Sequence, residues 1–151
     1  MDTSSLLIGL VLILICALPI IYIINTQNKN KKKKSEIFKM YGQGKYKFKT
    51  VENHYRKLYA LDTQNKGFLF ADLDQPNTEA SFIDLTKVNS CRAEETTIGT
   101  DARISLHFKS PQRDDEDIIL YDSGKDKLGH SYWNENIIIA KKWQQLLEDN
   151  I

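Results

Sequence analysis

The chain has 151 residues and a net charge of +1. The charge is unevenly divided, because residues 1–34 carry Asp2 and five lysines, a net +4, so residues 35–151 carry −3. A C-terminal region of this charge gives no argument for nucleic-acid binding, which needs a basic surface. The two cysteines, Cys16 and Cys91, are too few for a disulfide framework.

An uncharged apolar stretch opens the chain. Leu6–Ile24 holds nineteen residues without a charge. As a helix it would be roughly 28 Å long, close to the ~30 Å of a bilayer's hydrocarbon core. A cleaved signal peptide would have a basic start, a shorter apolar run and a small-residue cleavage site, none of which this segment shows. The stretch therefore predicts an uncleaved transmembrane helix.

Five lysines follow the apolar stretch: Lys29, Lys31, Lys32, Lys33 and Lys34. Basic flanks stay on the cytoplasmic side, which predicts a single pass with residues 1–5 outside and the C-terminal domain in the cytoplasm, in a plasma membrane or a bacterial inner membrane. The lysines have two interpretations. They fix the orientation of the helix, or they also attract anionic lipid headgroups, at about 1 kcal/mol for each basic residue near the surface.

The chain after the lysines changes its period. Ser35–Tyr41 predicts either a helical extension or an interfacial turn, and Gly42 and Gly44 predict a domain boundary, so that residues 25–44 are a lysine-rich linker. Alternation of polar and apolar residues, with turn residues between the runs, then predicts seven strands. These lie near residues 45–51, 56–61, 67–71, 80–85, 88–96, 103–109 and 117–122. Apolar residues at helical spacing, including Trp143, predict one amphipathic helix over residues 135–150.

Seven short strands followed by one amphipathic helix resemble the pleckstrin-homology-like superfold, over residues 45–151. The expected fold is an N-terminal transmembrane helix plus a mainly-β domain, a bent barrel or sandwich of about seven antiparallel strands capped by one C-terminal α-helix. In that family a tryptophan of the last helix often faces the core, and Trp143 is placed for this role. The chain is also similar to small membrane-anchored bacterial proteins whose activity is uncharacterised.

The resemblance implies binding of phosphoinositide headgroups, peptides or protein partners. In lipid-binding members, basic residues of the first hairpin hold the phosphates, and the basic residues of that region here are Lys45, Lys47, Lys49, Arg56 and Lys57. The strand pattern favours a simpler interpretation for the first three, as the solvated face of an alternating strand. The predicted turn Glu52–Tyr55 contains an acid, which disfavours a phosphate cradle. A peptide bound along an open strand edge is the other mode of recognition.

No catalytic, cofactor or metal site is predicted. His54, His107 and His130 are dispersed, and none has a metal-ligand spacing to another histidine or cysteine. Sequence motifs for a nucleophile elbow, a phosphate-binding loop or a dinucleotide site are absent. Cys91 and His107 would make a thiol–base pair only if the fold joined them, and a lone strand cysteine is usually a core residue.

The sequence thus predicts a non-enzymatic, single-pass membrane protein that presents a cytoplasmic binding or scaffold domain to a lipid or protein partner. The alternative is a ligand-binding or enzymatic β-barrel tethered to the membrane. Bulky residues at the expected core positions argue against a barrel cavity. These positions are Phe68, Phe70, Ile104, Leu106, Phe108, Leu120 and Trp143. A third interpretation is a structural tether within a larger membrane complex.

Overall fold

A computed structural model describes residues 3–42, 44–74, 80–111, 114–126 and 129–151. It contains a long N-terminal helix, seven strands and a C-terminal helix, which confirms the predicted order of elements. The elements are α1 (Thr3–Gly42), β1 (Thr50–His54), β2 (Lys57–Asp62), β3 (Gly67–Asp72), β4 (Ala80–Asp84), β5 (Ser90–Ile98), β6 (Asp101–Lys109), β7 (Glu116–Asp122) and α2 (Trp133–Glu148).

The helix α1 is long and apolar enough to cross a membrane. Its 40 residues rise over roughly 60 Å, so the helix extends well beyond the apolar stretch and continues through the lysines. The predicted linker is therefore helical as far as Gly42. By its internal contacts the chain divides into two units, Met1–Met40 and Tyr41–Ile151.

The strands form two antiparallel sheets. β1, β2, β3 and β4 are neighbours in the first sheet, and β5, β6 and β7 are neighbours in the second. Among the described residues no strand pairing joins the two sheets, so the domain is not a closed barrel.

Side chains from both sheets and from α2 fill one core. Every core position expected from the sequence is buried, with exposures between 0 and 6 %. Trp143 reaches the centre of this core from α2, where its ring stacks on Tyr59 at 5.3 Å between centroids and lies 5.6 Å from Phe68. A filled core of this kind leaves binding to the surface of the domain.

The first strand was predicted in the wrong place. Residues 45–49 are irregular, and β1 begins only at Thr50. The backbone N–H of Lys47 donates to Asp62 Oδ2 at 2.6 Å instead of joining a strand ladder. The half-buried ring of Tyr46 packs against Phe82 at 4.7 Å, so alternating polar and apolar residues arise here without a strand.

The first turn was also predicted in the wrong place. Residues 52–54 belong to β1, and the turn consists of Tyr55 and Arg56. The residues on either side of it, His54 and Lys57, are paired across the hairpin.

Candidate functional site

The turn between β1 and β2 adopts an unusual backbone conformation. Tyr55 and Arg56 have φ values of 45° and 67°. A two-residue hairpin turn with both residues at positive φ is of type I′, which favours Asn-Gly because other residues are strained there. The left-handed region costs roughly 1–2 kcal/mol for an ordinary residue. Contacts around the turn must offset this cost.

Those contacts join the turn to two other parts of the domain. The hydroxyl of Tyr55 donates to a carboxylate oxygen of Glu135 on α2, and its ring meets the edge of Tyr132 at 4.9 Å. Arg56 Nη1 lies 2.6 Å from Asp74 Oδ1, just beyond β3. The turn is therefore held between the end of β3 and the start of α2.

A buried ion pair lies directly behind the turn. Lys57 is only 6 % exposed, and its Nζ is 2.8 Å from Asp126 Oδ2. The same ammonium donates to the carbonyl of Leu120 on β7 and lies 5.4 Å from the centroid of Tyr121. Asp126 also accepts the backbone N–H of Asp122 at 2.8 Å. Removing one partner would leave a buried charge uncompensated, so these groups stabilise each other.

The turn, the buried ion pair and the start of α2 enclose an open cleft of about 210 Å³. We call it the hairpin cleft. Its volume is below the 300–1,000 Å³ of typical small-molecule sites, which favours a compact ligand group. Its lining consists of Tyr55, Arg56, Lys57, Asp72, Asp74, Tyr121, Asp126 and Asn136.

Asn136 is the most buried polar group of α2 in the cleft. It is 3 % exposed, and its Nδ2 donates to the carbonyl of Tyr132 at 2.8 Å. No donor among the described residues bonds to its Oδ1, which is not one of the fully buried atoms and so is accessible from the cleft. Among the described residues, the one bond to the carboxylate of Asp72 is from the N–H of Asp74, to Oδ1 at 2.9 Å. In the described part of the chain, the hairpin cleft therefore contains acceptor atoms without a donor.

Two polar atoms near this region are buried without a partner in the described part of the chain: the hydroxyl of Tyr59 and Nε2 of His54. Burial, together with the negative charges of Glu52, Asp126 and Asp72, raises the pKa of Tyr59. Burial lowers the pKa of His54. Both residues are thus held in their neutral forms at neutral pH.

The five basic residues of the first hairpin region do not form one surface. Lys45, Lys47 and Lys49 are exposed, and the segment that carries them is bonded to Asp62 at the far end of β2 from the hairpin cleft. Lys45 donates to the hydroxyl of its neighbour Tyr46 at 2.9 Å. The other two, Arg56 and Lys57, lie at the cleft and already contact carboxylates.

The lysines of α1 surround the helix. At about 100° per residue, Lys29, Lys31, Lys32, Lys33 and Lys34 project in all directions. The first three are exposed and the last two are half-buried. A ring of charge at the end of an apolar helix suits a membrane boundary better than a flat-lying amphipathic segment does.

Cys91 and His107 are not a catalytic pair. Cys91 is fully buried opposite Phe108, whereas His107 projects from the other face of the sheet. Burial raises the pKa of Cys91 to about 12, so it is a thiol at neutral pH. His107 instead contacts Asp117, with 2.7 Å between Nδ1 and Oδ1. The side chain of His130 lies outside the described residues.

The described part of the chain holds no group of three histidine, cysteine, aspartate or glutamate side chains that could bind a metal ion.

Sequence reasoning missed the acidic and amide residues of the hairpin cleft. Asp72 is the last residue of β3 and Asp126 lies in the loop after β7, positions where acidic residues are common, and nothing in the local pattern distinguishes them. Asn136 did carry a signal, because it shares a helical face with Ala140, Trp143 and Leu147. A polar residue on an apolar face is unusual and has a specific partner or a site.

No family model, no curated protein and no solved structure matches the chain.

Proposed function

We propose that this protein is a non-enzymatic, single-pass membrane protein that presents a pleckstrin-homology-like domain to a protein partner in the cytoplasm. The observation that carries the proposal is the hairpin cleft. There a strained turn holds buried charges and unused acceptors at the surface of a domain whose core is filled. Strain that the surroundings maintain is typical of binding and switching sites.

The architecture supports the pleckstrin-homology-like assignment. A four-stranded and a three-stranded antiparallel sheet are followed by one helix that inserts a tryptophan into the core. This is the arrangement expected from the family resemblance. Domains of that superfold bind ligands at loops and strand edges, and the hairpin cleft is formed by loops.

The chemistry of the cleft supports binding over catalysis. Its lysine and arginine are ion-paired, and the one cysteine of the domain is buried as a thiol on a different sheet. A nucleophile and a base within hydrogen-bond reach of each other would favour an enzyme. The tethered barrel alternative needs an interior cavity, and Trp143, Phe68 and Phe108 fill that space.

The anchor supports attachment to a lipid bilayer. An uncharged stretch of nineteen residues, most of whose described side chains are exposed, would be costly in water, and the lysines at its end favour a cytoplasmic location for the domain. The same lysines are suited to contact anionic headgroups. We propose no nucleic-acid partner, because residues 35–151 carry −3.

Site-specific crosslinking in native membranes tests the proposal. A photoreactive amino acid would replace Tyr55 at the mouth of the hairpin cleft, and in a matched variant it would replace Glu95, an exposed residue on β5. We expect a discrete crosslinked protein from position 55 and not from position 95. Equal products at both positions, or none at position 55, would contradict a partner site at the cleft.

A further inference from the structure

We infer that the hairpin cleft binds a protonated amine, presented by a lysine side chain of the protein partner or by a small free amine. The inference rests on the proposed function, because it names the ligand group of the same site. It follows from three properties of the cleft: its unused hydrogen-bonding groups, its net charge and its aromatic walls.

The unused hydrogen-bonding groups are acceptors. Asn136 Oδ1 has no donor among the described residues, and it is not one of the fully buried polar atoms, so a ligand in the cleft can reach it. Asp72 and Asp126 each have one carboxylate oxygen that accepts no hydrogen bond from the described residues. The buried donor, the ammonium of Lys57, is already bonded to Leu120 and Asp126. A ligand that completes this arrangement must supply several N–H donors, which an ammonium group does.

The net charge of the cleft also favours a cationic ligand. Arg56 and Lys57 are each paired with an aspartate, Asp74 and Asp126 respectively. The remaining charged residue of the lining is Asp72, which has no ion-pair partner among the described residues. The cleft therefore carries a net charge of −1, which attracts a cation and repels a phosphate.

The rings of Tyr55 and Tyr121 complete the site. Both line the cleft, and because the ammonium of Lys57 already lies 5.4 Å from the centroid of Tyr121, the ring of Tyr55 is the one that can attract a further cation through its quadrupole. The alkyl stem of a lysine side chain would pack along the same rings while the ammonium meets the acceptors. The cleft volume of about 210 Å³ suits one such side chain better than a whole cofactor.

Binding is measured by calorimetry on the full chain in phosphatidylcholine nanodiscs, whose lipid carries no net charge. The probes are N-acetyl-lysine methylamide, its uncharged analogue N-acetyl-norleucine methylamide, n-butylamine and inorganic phosphate. We expect the lysine amide to bind at least about tenfold more tightly than the norleucine amide, a difference of about 1.4 kcal/mol. If n-butylamine binds as well as the lysine amide, the ammonium alone is recognised. Preference for the lysine amide identifies a peptide source.

The variant Asp72→Asn tests the site directly. Asparagine keeps the oxygen that accepts the N–H of Asp74 but removes the charge, so we expect about tenfold weaker binding of the lysine amide. Glu95→Gln removes the same charge from an exposed position on β5 and should leave binding unchanged. The comparison of the lysine and norleucine amides on the unaltered chain needs no variant and remains decisive if Asp72→Asn disturbs folding.

Three results would overturn the inference: equal binding of the lysine and norleucine amides, binding of phosphate in preference to the amines, or no binding of any amine. If no amine binds but crosslinking at position 55 still captures a partner, the ligand class is wrong and the proposed function stands. If crosslinking also fails, both are wrong.

Discussion

Trp143 is the largest fully buried side chain in the described part of the chain. Its ring is fully buried between Tyr59 and Phe68, and its Nε1 donates to Glu52 Oε2 at 2.8 Å. Glu52 also contacts the ammonium of Lys142, at 2.8 Å. One side chain thus fills the core and, through a charge-assisted hydrogen bond, connects α2 to the edge strand β1.

We expect Trp143→Ala to lower the free energy of unfolding by about 3–5 kcal/mol, as is usual for truncation of a buried aromatic residue. Trp143→Phe should cost less, because it keeps an aromatic ring and loses the hydrogen bond to Glu52. Urea unfolding of the full chain in detergent, followed by circular dichroism of the sheets, measures both. Ile138→Ala is the control, since Ile138 is 66 % exposed on α2 and should change stability by under about 0.5 kcal/mol. A loss below about 1 kcal/mol for Trp143→Ala would contradict its central role.

His107 and His54 respond to pH in opposite directions. The hydrogen bond that His107 donates to the carboxylate of Asp117 raises the pKa of His107, and the negative charges of Asp117, Glu94 and Asp115 raise it further. Burial lowers the pKa of His54. The positive charges of Lys57 and Lys142 also lower this pKa, and the negative charges of Glu135 and Glu52 raise it by less than the other effects lower it. His107 therefore contributes stability that is complete below the unfolded pKa of about 6.5 and is lost as the pH rises through its folded pKa. His54 instead costs stability as the pH falls below about 6.5.

A titration of the histidine side chains by ¹H–¹⁵N NMR should place the pKa of His107 above, and that of His54 below, the ordinary value of about 6.5. Asp117→Asn should lower the pKa of His107, because it removes the charge of its main partner. The same change should leave His54 unaffected, since Asp117 is not among the groups that shift its pKa. Equal pKa values for the two histidines would contradict the environments described above.

At the scale of elements, polar–apolar alternation predicted most of the sheet because burial of one face imposes a period of two. β6 is the clearest case, since its inward residues Ile104, Leu106 and Phe108 are all buried. The position of β1 was predicted wrongly for a physical reason. Tyr46 and Phe48 alternate with lysines and are half-buried, but residues 45–49 are irregular and their segment is bonded to Asp62. Alternation of polar and apolar residues shows that alternate side chains are buried, and such burial does not require the hydrogen bonds of a β-sheet.

The turn between β1 and β2 could not be predicted from residue type. Tyr and Arg are poor residues for a type I′ turn, and the sequence contains no Asn or Gly where the structure turns. The contacts of Tyr55 with Glu135 and Tyr132, and of Arg56 with Asp74, determine this conformation from outside the hairpin. Tertiary contacts here override local propensity.

Arg56→Gly should raise the free energy of unfolding by about 0.5–1 kcal/mol, because glycine adopts positive φ without strain. The lost ion pair with Asp74 is partly exposed and contributes little, about 0–1 kcal/mol. Arg56→Ala is the matched control. It removes the same ion pair but keeps the strain, so it should be neutral or destabilising. If both variants destabilise equally, the turn is not strained. Thermal unfolding of the full chain in one detergent compares the two.

At the scale of the whole molecule, the hairpin cleft was beyond the reach of sequence patterns because its parts are distant in the chain. Tyr55 and its partner Glu135 are 80 positions apart, and Lys57 and Asp126 are 69 positions apart. Periodicity assigns each residue to a face of its own element and carries no information about which loops meet. The long apolar helix was predictable for the opposite reason, since a helix able to span a membrane is recognised from one continuous stretch of sequence.

The distribution of charge makes a prediction about orientation. Residues 29–49 contain nine lysines and one acid, a net +8, so residues 50–151 carry −6. Because basic flanks are retained in the cytoplasm, we expect the domain there in the native chain. A variant with Lys29 and Lys31–Lys34 changed to glutamine, and with lysines in place of residues 2–5, should insert at least partly in the inverted orientation.

A single introduced cysteine reports the orientation. Cys16→Ala and Cys91→Ala remove the native thiols, and Glu95→Cys adds one on the exposed part of β5. In intact cells expressing the protein in the bacterial inner membrane, with the outer membrane permeabilised, a thiol reagent that does not cross the inner membrane should label only the charge-inverted chain. It should label both chains after lysis, which controls for access to the cysteine. Labelling of the chain with native lysines before lysis would place the domain outside and overturn the cytoplasmic assignment.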